Sequence, residues 1–271
     1  MGSCSLFLYI CQPHGKALDR GIEFLLKSAK EGGLVAGPGS NKYGPMYEHL
    51  LSTLALLYAY GNVPWYPQTR GVISRGIEVI KRSQRLDGGW RYLASSQGLS
   101  DVSVTANALW VLRTAKKAGF AVSAASIHKG VKFVEKCAMP DGYFKYRTFG
   151  LRASPSLTGT CIVALCNAGQ LDHQLIPNAR DRIMYEYRRY SVKEFIGRRY
   201  AIYGVFYASL AMYTCGDQYW APWFEKGVNI LLAIQKEGGE FTDEHENTVY
   251  PTAMACMVLQ APLGYLPLYE R

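Results

Sequence analysis

The stretch Asp101-Val102-Ser103-Val104-Thr105-Ala106 sets a carboxyl group two residues before a hydroxyl, at the head of an apolar run. A carboxylic acid held among apolar neighbours keeps its proton and serves as a general acid. A serine hydroxyl is too weak an acid for that role, so the proton would have to come from Asp101. His49 opens a second apolar run and is the expected partner of Asp101. Each residue has a structural reading of equal weight. Ser100-Asp101 before an apolar run is also a helix N-cap, and His49 is also a satisfied core histidine. Six further aromatics stand on apolar runs and, with Ser103, are expected to line a binding cavity: Tyr47, Trp110, Tyr200, Tyr203, Tyr207 and Tyr250. A desolvated aromatic face stabilises a cation by about 2 kcal/mol, although aromatics at helical spacing more often fill cores. Arg198 and Arg199 end a basic, tyrosine-rich segment over 180–199 and are the candidates for holding an anion.

These residues are positioned by a repeat. Its clearest copy runs from Arg75-Gly76-Ile77-Glu78 to Gly88-Gly89-Trp90, an amphipathic helix closed by a Gly-rich turn. Related copies open at Arg20-Gly21 and end at Gly32-Gly33, open at Lys129-Gly130 and end at Gly142-Tyr143-Phe144, and open at Lys226-Gly227 and end at Gly238-Gly239. The first three openings are 55 and 54 residues apart, and the 97-residue gap before Lys226 leaves room for a degenerate copy around 178–187. A second helix follows each turn, over 46–60, 102–118, 156–168, 200–213 and 248–259. The first set shows polar residues on one side, as with Arg75, Glu78, Lys81 and Arg82 against Ile73, Ile77 and Ile80. The second set is apolar nearly all round, which demands burial. The pattern predicts an all-α chain, an open solenoid or a closed ring; the small repeat number and uncharged inner helices favour closure, an α/α toroid of about five hairpins with the apolar helices inside. One such domain is expected over 17–271, after an N-terminal extension over 1–16 that lacks the basic start of a signal peptide.

Composition narrows the function classes. No apolar run reaches the ~18 residues needed to span a bilayer. The seven cysteines form no C-x-x-C pair and several fall in apolar helices, the pattern of reduced thiols in a cytoplasmic protein. The net charge of +9 is partly concentrated at 180–199, where peripheral contact with an anionic membrane is the sharper reading and a solvated helix face the simpler one. No nucleic acid is expected, because no recognition motif accompanies the charge.

The unit at 75–90 resembles the repeat motif of the squalene–hopene cyclase and terpenoid cyclase superfamily, whose α/α toroid is shared with protein prenyltransferase β subunits. The similarity extends over roughly residues 17–271. Members of that superfamily protonate an alkene or epoxide with the middle Asp of a D-x-D-D-T-A motif. The matching residues here keep the first Asp, the Thr and the Ala as Asp101, Thr105 and Ala106, but the middle Asp is Ser103 and the next is Val104. The resemblance therefore implies acid-initiated cyclisation or isomerisation of an isoprenoid, with Asp101 as the acid and His49 tuning it. It equally allows a non-catalytic toroid that binds a lipid or protein partner after losing its acid. No cofactor and no metal are expected. The prenyltransferase zinc pattern of Asp-x-Cys is missing, and the histidines form no ligand set with the cysteines. Cys215-Gly216-Asp217-Gln218 is similar to the thioester sequence of complement-like toroids, but it is expected in an interhelical loop before Trp220 and is taken as chance.

Overall fold

A computed structural model of the chain describes residues 15–37, 44–62, 66–198, 200–243 and 246–263. Most of the N-terminal extension, and Arg199 with it, lie outside these residues. Helices and turns make up the described residues, and the β features among them are isolated bridges. The chain divides into two compact units, Met1–Lys132 and Phe133–Arg271.

The first unit contains α1 (Gly15–Lys27), α2 (Met46–Ala59), α3 (Thr69–Arg82) and α4 (Val102–Lys117); α5 (Ala124–Lys136) begins in it. Helix α2 packs on α3 and α4. The two helix classes read from the sequence are present. Helix α3 buries Val72, Ile73, Ile77 and Ile80 and leaves Arg75 and Glu78 exposed, whereas α4 is buried without interruption from Val102 to Leu112. The second unit contains α6 (Pro155–Asn167), α7 (Ile176–Arg189), the short α8 (Val192–Ile196), α9 (Ala201–Cys215), α10 (Asp217–Ile234) and α11 (Val249–Leu259). Helix α9 is its centre, packed against α6, α10 and α11, and α6 packs in turn on α7. Cys215 ends α9 and Asp217 opens α10, so of the thioester-like tetrapeptide only Gly216 lies between the helices, where a loop was expected.

The Gly-rich turns explain how successive repeats register. Gly33, Gly88 and Gly142 all have φ near the left-handed region, at 87°, 96° and 87°. A Cβ on each would lie within 2.6 Å of a backbone carbonyl oxygen, of Arg75, Lys129 and Asn178 respectively. Only glycine satisfies both the dihedral and the approach. The three carbonyls belong to the residues that open the next repeat, and the degenerate copy is thereby fixed at Asn178, where Ala179 stands in place of the usual Gly.

A second regularity ties each turn to the buried helix that follows it. The backbone N–H of Trp90 donates to the hydroxyl of Thr105 at 2.9 Å, that of Phe144 to Thr158 at 3.2 Å, and that of Phe241 to Thr252 at 3.0 Å. In the first repeat the equivalent N–H, of Val35, donates to His49 Nδ1 at 3.0 Å. Each bond satisfies a backbone donor that the close packing would otherwise strand.

Candidate functional site

Asp101 is the N-cap of α4. Its backbone is extended, its N–H donates to the carbonyl of Trp90 at 3.0 Å, and its Oδ1 accepts the N–H of Val104 at 3.0 Å. The Ser103 hydroxyl donates to the same Oδ1 at 2.7 Å. Asp101 is 0% exposed, and its other oxygen, Oδ2, is buried with no hydrogen-bond partner. The next repeat supplies a comparison. Ser154 caps α6 in the same way, accepting from the N–H of Leu157. A cap needs one oxygen, which serine provides. The second carboxylate oxygen of Asp101 adds nothing to the cap, and leaving it buried and unpaired costs about 1–3 kcal/mol. That oxygen is the feature of the site that architecture does not account for.

Burial pushes the Asp101 carboxyl above the usual carboxylate range, while the donors Ser103 and Val104 pull the other way. Burial favours the neutral carboxyl, and the donors at Oδ1 favour the carboxylate. Oδ1 is occupied by two donors, and Oδ2 is the oxygen left without one.

His49 is 0% exposed and both ring nitrogens are engaged by backbone groups. Nδ1 accepts from Val35, so Nε2 carries the proton and donates to the carbonyl of Gly76 at 3.1 Å. Burial pushes its pKa down to about 4, leaving a neutral ring. No ring nitrogen is left for a hydrogen bond to Asp101, so the expected pairing of His49 with Asp101 is not made through one. His49 occupies the position that Thr105, Thr158 and Thr252 hold in the other repeats, and Ser103 is the side chain that contacts Asp101.

The expected aromatic set is dispersed over both units. In the first, Trp110 is buried and its indole N–H donates to the hydroxyl of Tyr58 at 3.0 Å, and the half-buried Tyr47 lies with its ring centroid 5.9 Å from that of Tyr92. In the second, Tyr203 shares a 2.8 Å hydrogen bond with Thr160 and packs 4.5 Å from the ring of the buried Tyr207. Tyr200 and Tyr250 are 42% and 40% exposed, which places them outside the core of their unit. Tyr200 also takes the left-handed backbone, φ 62°, just before α9.

The basic segment is largely engaged with its own surroundings. Arg180 pairs with Asp181 at 2.9 Å and stacks over Tyr219, and Arg189 donates to the hydroxyl of Tyr185. Arg182 and Arg198 flank the buried Glu186 at 3.4 Å and 3.2 Å. This Tyr143–Arg182–Glu186–Arg198 cluster was not singled out from the sequence. A glutamate inside a run of arginines reads as a surface ion pair, and nothing local marks Glu186 as buried. Among the described residues no group of three His, Cys, Asp or Glu side chains gathers to hold a metal ion, and no helix is long and apolar enough to cross a membrane.

No protein-family model matches the chain, and no curated protein matches its sequence. Solved structures do match. A variant of the type II terpene cyclase MstE from Scytonema, in complex with its substrate geranylgeranyl dihydroxybenzoate, superposes over 94% of this chain and 73% of its own, with a TM-score of 0.62 at 15% identity. A protein from Actinoplanes matches over 91% and 74%, with a TM-score of 0.64 at 14% identity. Trypsin-activated α-2-macroglobulin from Escherichia coli matches over 86% of this chain and 15% of its own length, with a TM-score of 0.52 at 14% identity. At these identities the likeness is one of fold, an all-α chain of the α/α-toroid class, and the fold resembles that of the terpene cyclases.

Proposed function

We propose that this protein is terpenoid-cyclase-like and carries out acid-initiated cyclisation or isomerisation of an isoprenoid substrate, with Asp101 as the proton donor. The observation that carries the reading is the unpaired, buried Oδ2 of Asp101, an oxygen the helix cap does not need. The likeness in fold to a type II terpene cyclase that holds an isoprenoid conjugate supports the substrate class. In the proposed step, Oδ2–H is transferred to an alkene carbon, a carbocation forms at its neighbour, and Ser103 and Val104 hold the resulting carboxylate through Oδ1. The aromatics Tyr47 and Trp110, in the same unit as Asp101, are proposed to face the cation. His49 is assigned to fixing the turn at Val35 rather than to the proton transfer.

The test is incubation of the protein with a panel of isoprenoids and detection of products by mass spectrometry. Cyclised or isomerised product from the parent chain, lost in Asp101→Asn, is the expected result. Turnover that survives Asp101→Asn removes Asp101 from the acid role. A second reading, a non-catalytic toroid binding a lipid or protein partner, is favoured by the equivalence of Asp101 and Ser154 as caps and by the presence of the same fold in an α-2-macroglobulin. Inactivity of the parent chain across the whole panel would favour it.

A further inference from the structure

The second unit contains a cavity of about 340 Å³, bounded by the N-terminal ends of α6 and α9 and by α7, α8 and α10. Its walls are mainly apolar, formed by Pro155, Ile183, Phe195, Val205, Ala208 and Trp223, and its charged lining is Glu186 and Arg198. The Glu186 side chain is 3% exposed. Its Oε1 accepts the Tyr143 hydroxyl at 2.7 Å and lies 3.4 Å from Arg182. Its Oε2 lies 3.2 Å from Arg198 Nη2 but makes no aligned hydrogen bond. The Arg198 guanidinium stacks 4.0 Å over the ring of Tyr190 and is 32% exposed, so it is oriented yet able to shift.

A close but misaligned ion pair inside a cavity is completed by a group that accepts from the guanidinium and donates to the carboxylate. A hydroxyl does both. A carboxylate or phosphate head would set like charge against Glu186, and an ammonium head would do so against Arg182 and Arg198. The volume lies near the low end for small-molecule sites, of roughly 300–1,000 Å³, and suits a small molecule or short chain rather than a long one. We propose that this cavity binds an uncharged apolar molecule bearing one hydroxyl, which bridges Arg198 and Glu186 while the body packs on Phe195, Val205 and Trp223. None of the residues around Asp101 takes part, so this site and the proposed reaction stand or fall separately.

Calorimetric titration of the full chain with geraniol, geranic acid and geranylamine at neutral pH tests this, with circular dichroism melts to confirm that each variant folds. Geraniol is expected to bind saturably at one site, with the acid and the amine about tenfold weaker or more. Glu186→Gln is expected to weaken geraniol by about tenfold, for loss of a charged hydrogen bond. Should that variant fail to fold, the part-exposed Arg198→Leu is expected to show the same loss, and Ala208→Leu to abolish binding by filling the apolar end. Leu86→Ser, at an exposed position of the first unit, should bind as the parent does. Absence of saturable geraniol binding overturns the proposal, as does equal affinity for the acid or amine. So does parent-like binding by both Arg198→Leu and Ala208→Leu. Loss of binding in Asp101→Asn with none in Arg198→Leu would place the alcohol elsewhere and also overturn it.

Discussion

At the residue scale, Asp101 and His49 separate by asking what each does beyond the frame. His49 receives the turn N–H that threonine receives in three other repeats, so its chemistry is that of a backbone acceptor. Its neutral state has a measurable consequence. The folded pKa of about 4 lies below the ordinary 6.5, so His49 contributes stability above pH 6.5 that is lost as pH falls through the window from 6.5 to 4. The full loss is on the order of 3 kcal/mol. Urea denaturation of His49→Thr across that window is expected to show a flatter acid limb than the parent. His49→Leu, which strands the Val35 N–H, should be less stable than His49→Thr at pH 7 by about 1–3 kcal/mol. Asp101 has the opposite sign. Its pKa is raised on folding, so its contribution is fully present below the ordinary carboxyl range and falls as pH rises through the folded value. Asp101→Asn has no charge to bury, and its stability relative to the parent should therefore rise with pH. A constant difference from pH 3 to 8 would mean that the carboxyl is not desolvated as described. The sequence exposed the carboxyl and hydroxyl two residues apart but not which neighbour would reach Asp101. Ser103 is two residues away along the chain, whereas His49 depended on register between repeats.

At the element scale, the alternation of half-wet and fully apolar helices was legible because burial on one face or on all faces is written directly into residue order. The degenerate copy was placed near 178 from spacing alone, and the approach of Gly142 to the Asn178 carbonyl gives that placement its physical basis. Cavities such as the one beside Glu186 were not legible, since they arise where side chains from five helices fail to fill space. The turn glycines give a graded test. Gly88 has φ 96° and a carbonyl oxygen 2.4 Å from where a Cβ would sit, whereas Gly239 has φ 90° and open space. Gly88→Ala should combine a left-handed penalty with a backbone clash and cost about 2–4 kcal/mol. Gly239→Ala should cost about 1–2 kcal/mol, from the dihedral alone. Denaturation midpoints of the two variants decide the matter. Equal losses would show that the turn is not clamped against the next repeat.

At the scale of the whole molecule, the +9 charge bears on where an apolar substrate would be met. No described helix is long and apolar enough to cross a membrane. The segment 180–199 is the sequence candidate for peripheral membrane contact, and over its described residues 180–198 the structure thins the list of available cations. Arg180, Arg182, Arg189 and Arg198 are held by Asp181, Glu186 and Tyr185, which leaves Arg188 and Lys193 exposed with no ion pair among the described residues. If the segment touches anionic lipid, these two side chains supply most of the attraction, each by about 1 kcal/mol. Co-sedimentation with phosphatidylserine vesicles should then weaken as salt rises, because the Debye length shrinks from about 10 Å at 0.1 M to about 3 Å at 1 M. Reversing both charges, Arg188→Glu with Lys193→Glu, should lower the partition by at least about tenfold at low salt. The change lies on an exposed face, so the melting temperature should stay put. Vesicle binding that ignores both salt and the double reversal would assign the contact to another surface and leave 180–198 as a solvated face whose arginines serve Glu186 and their neighbouring rings.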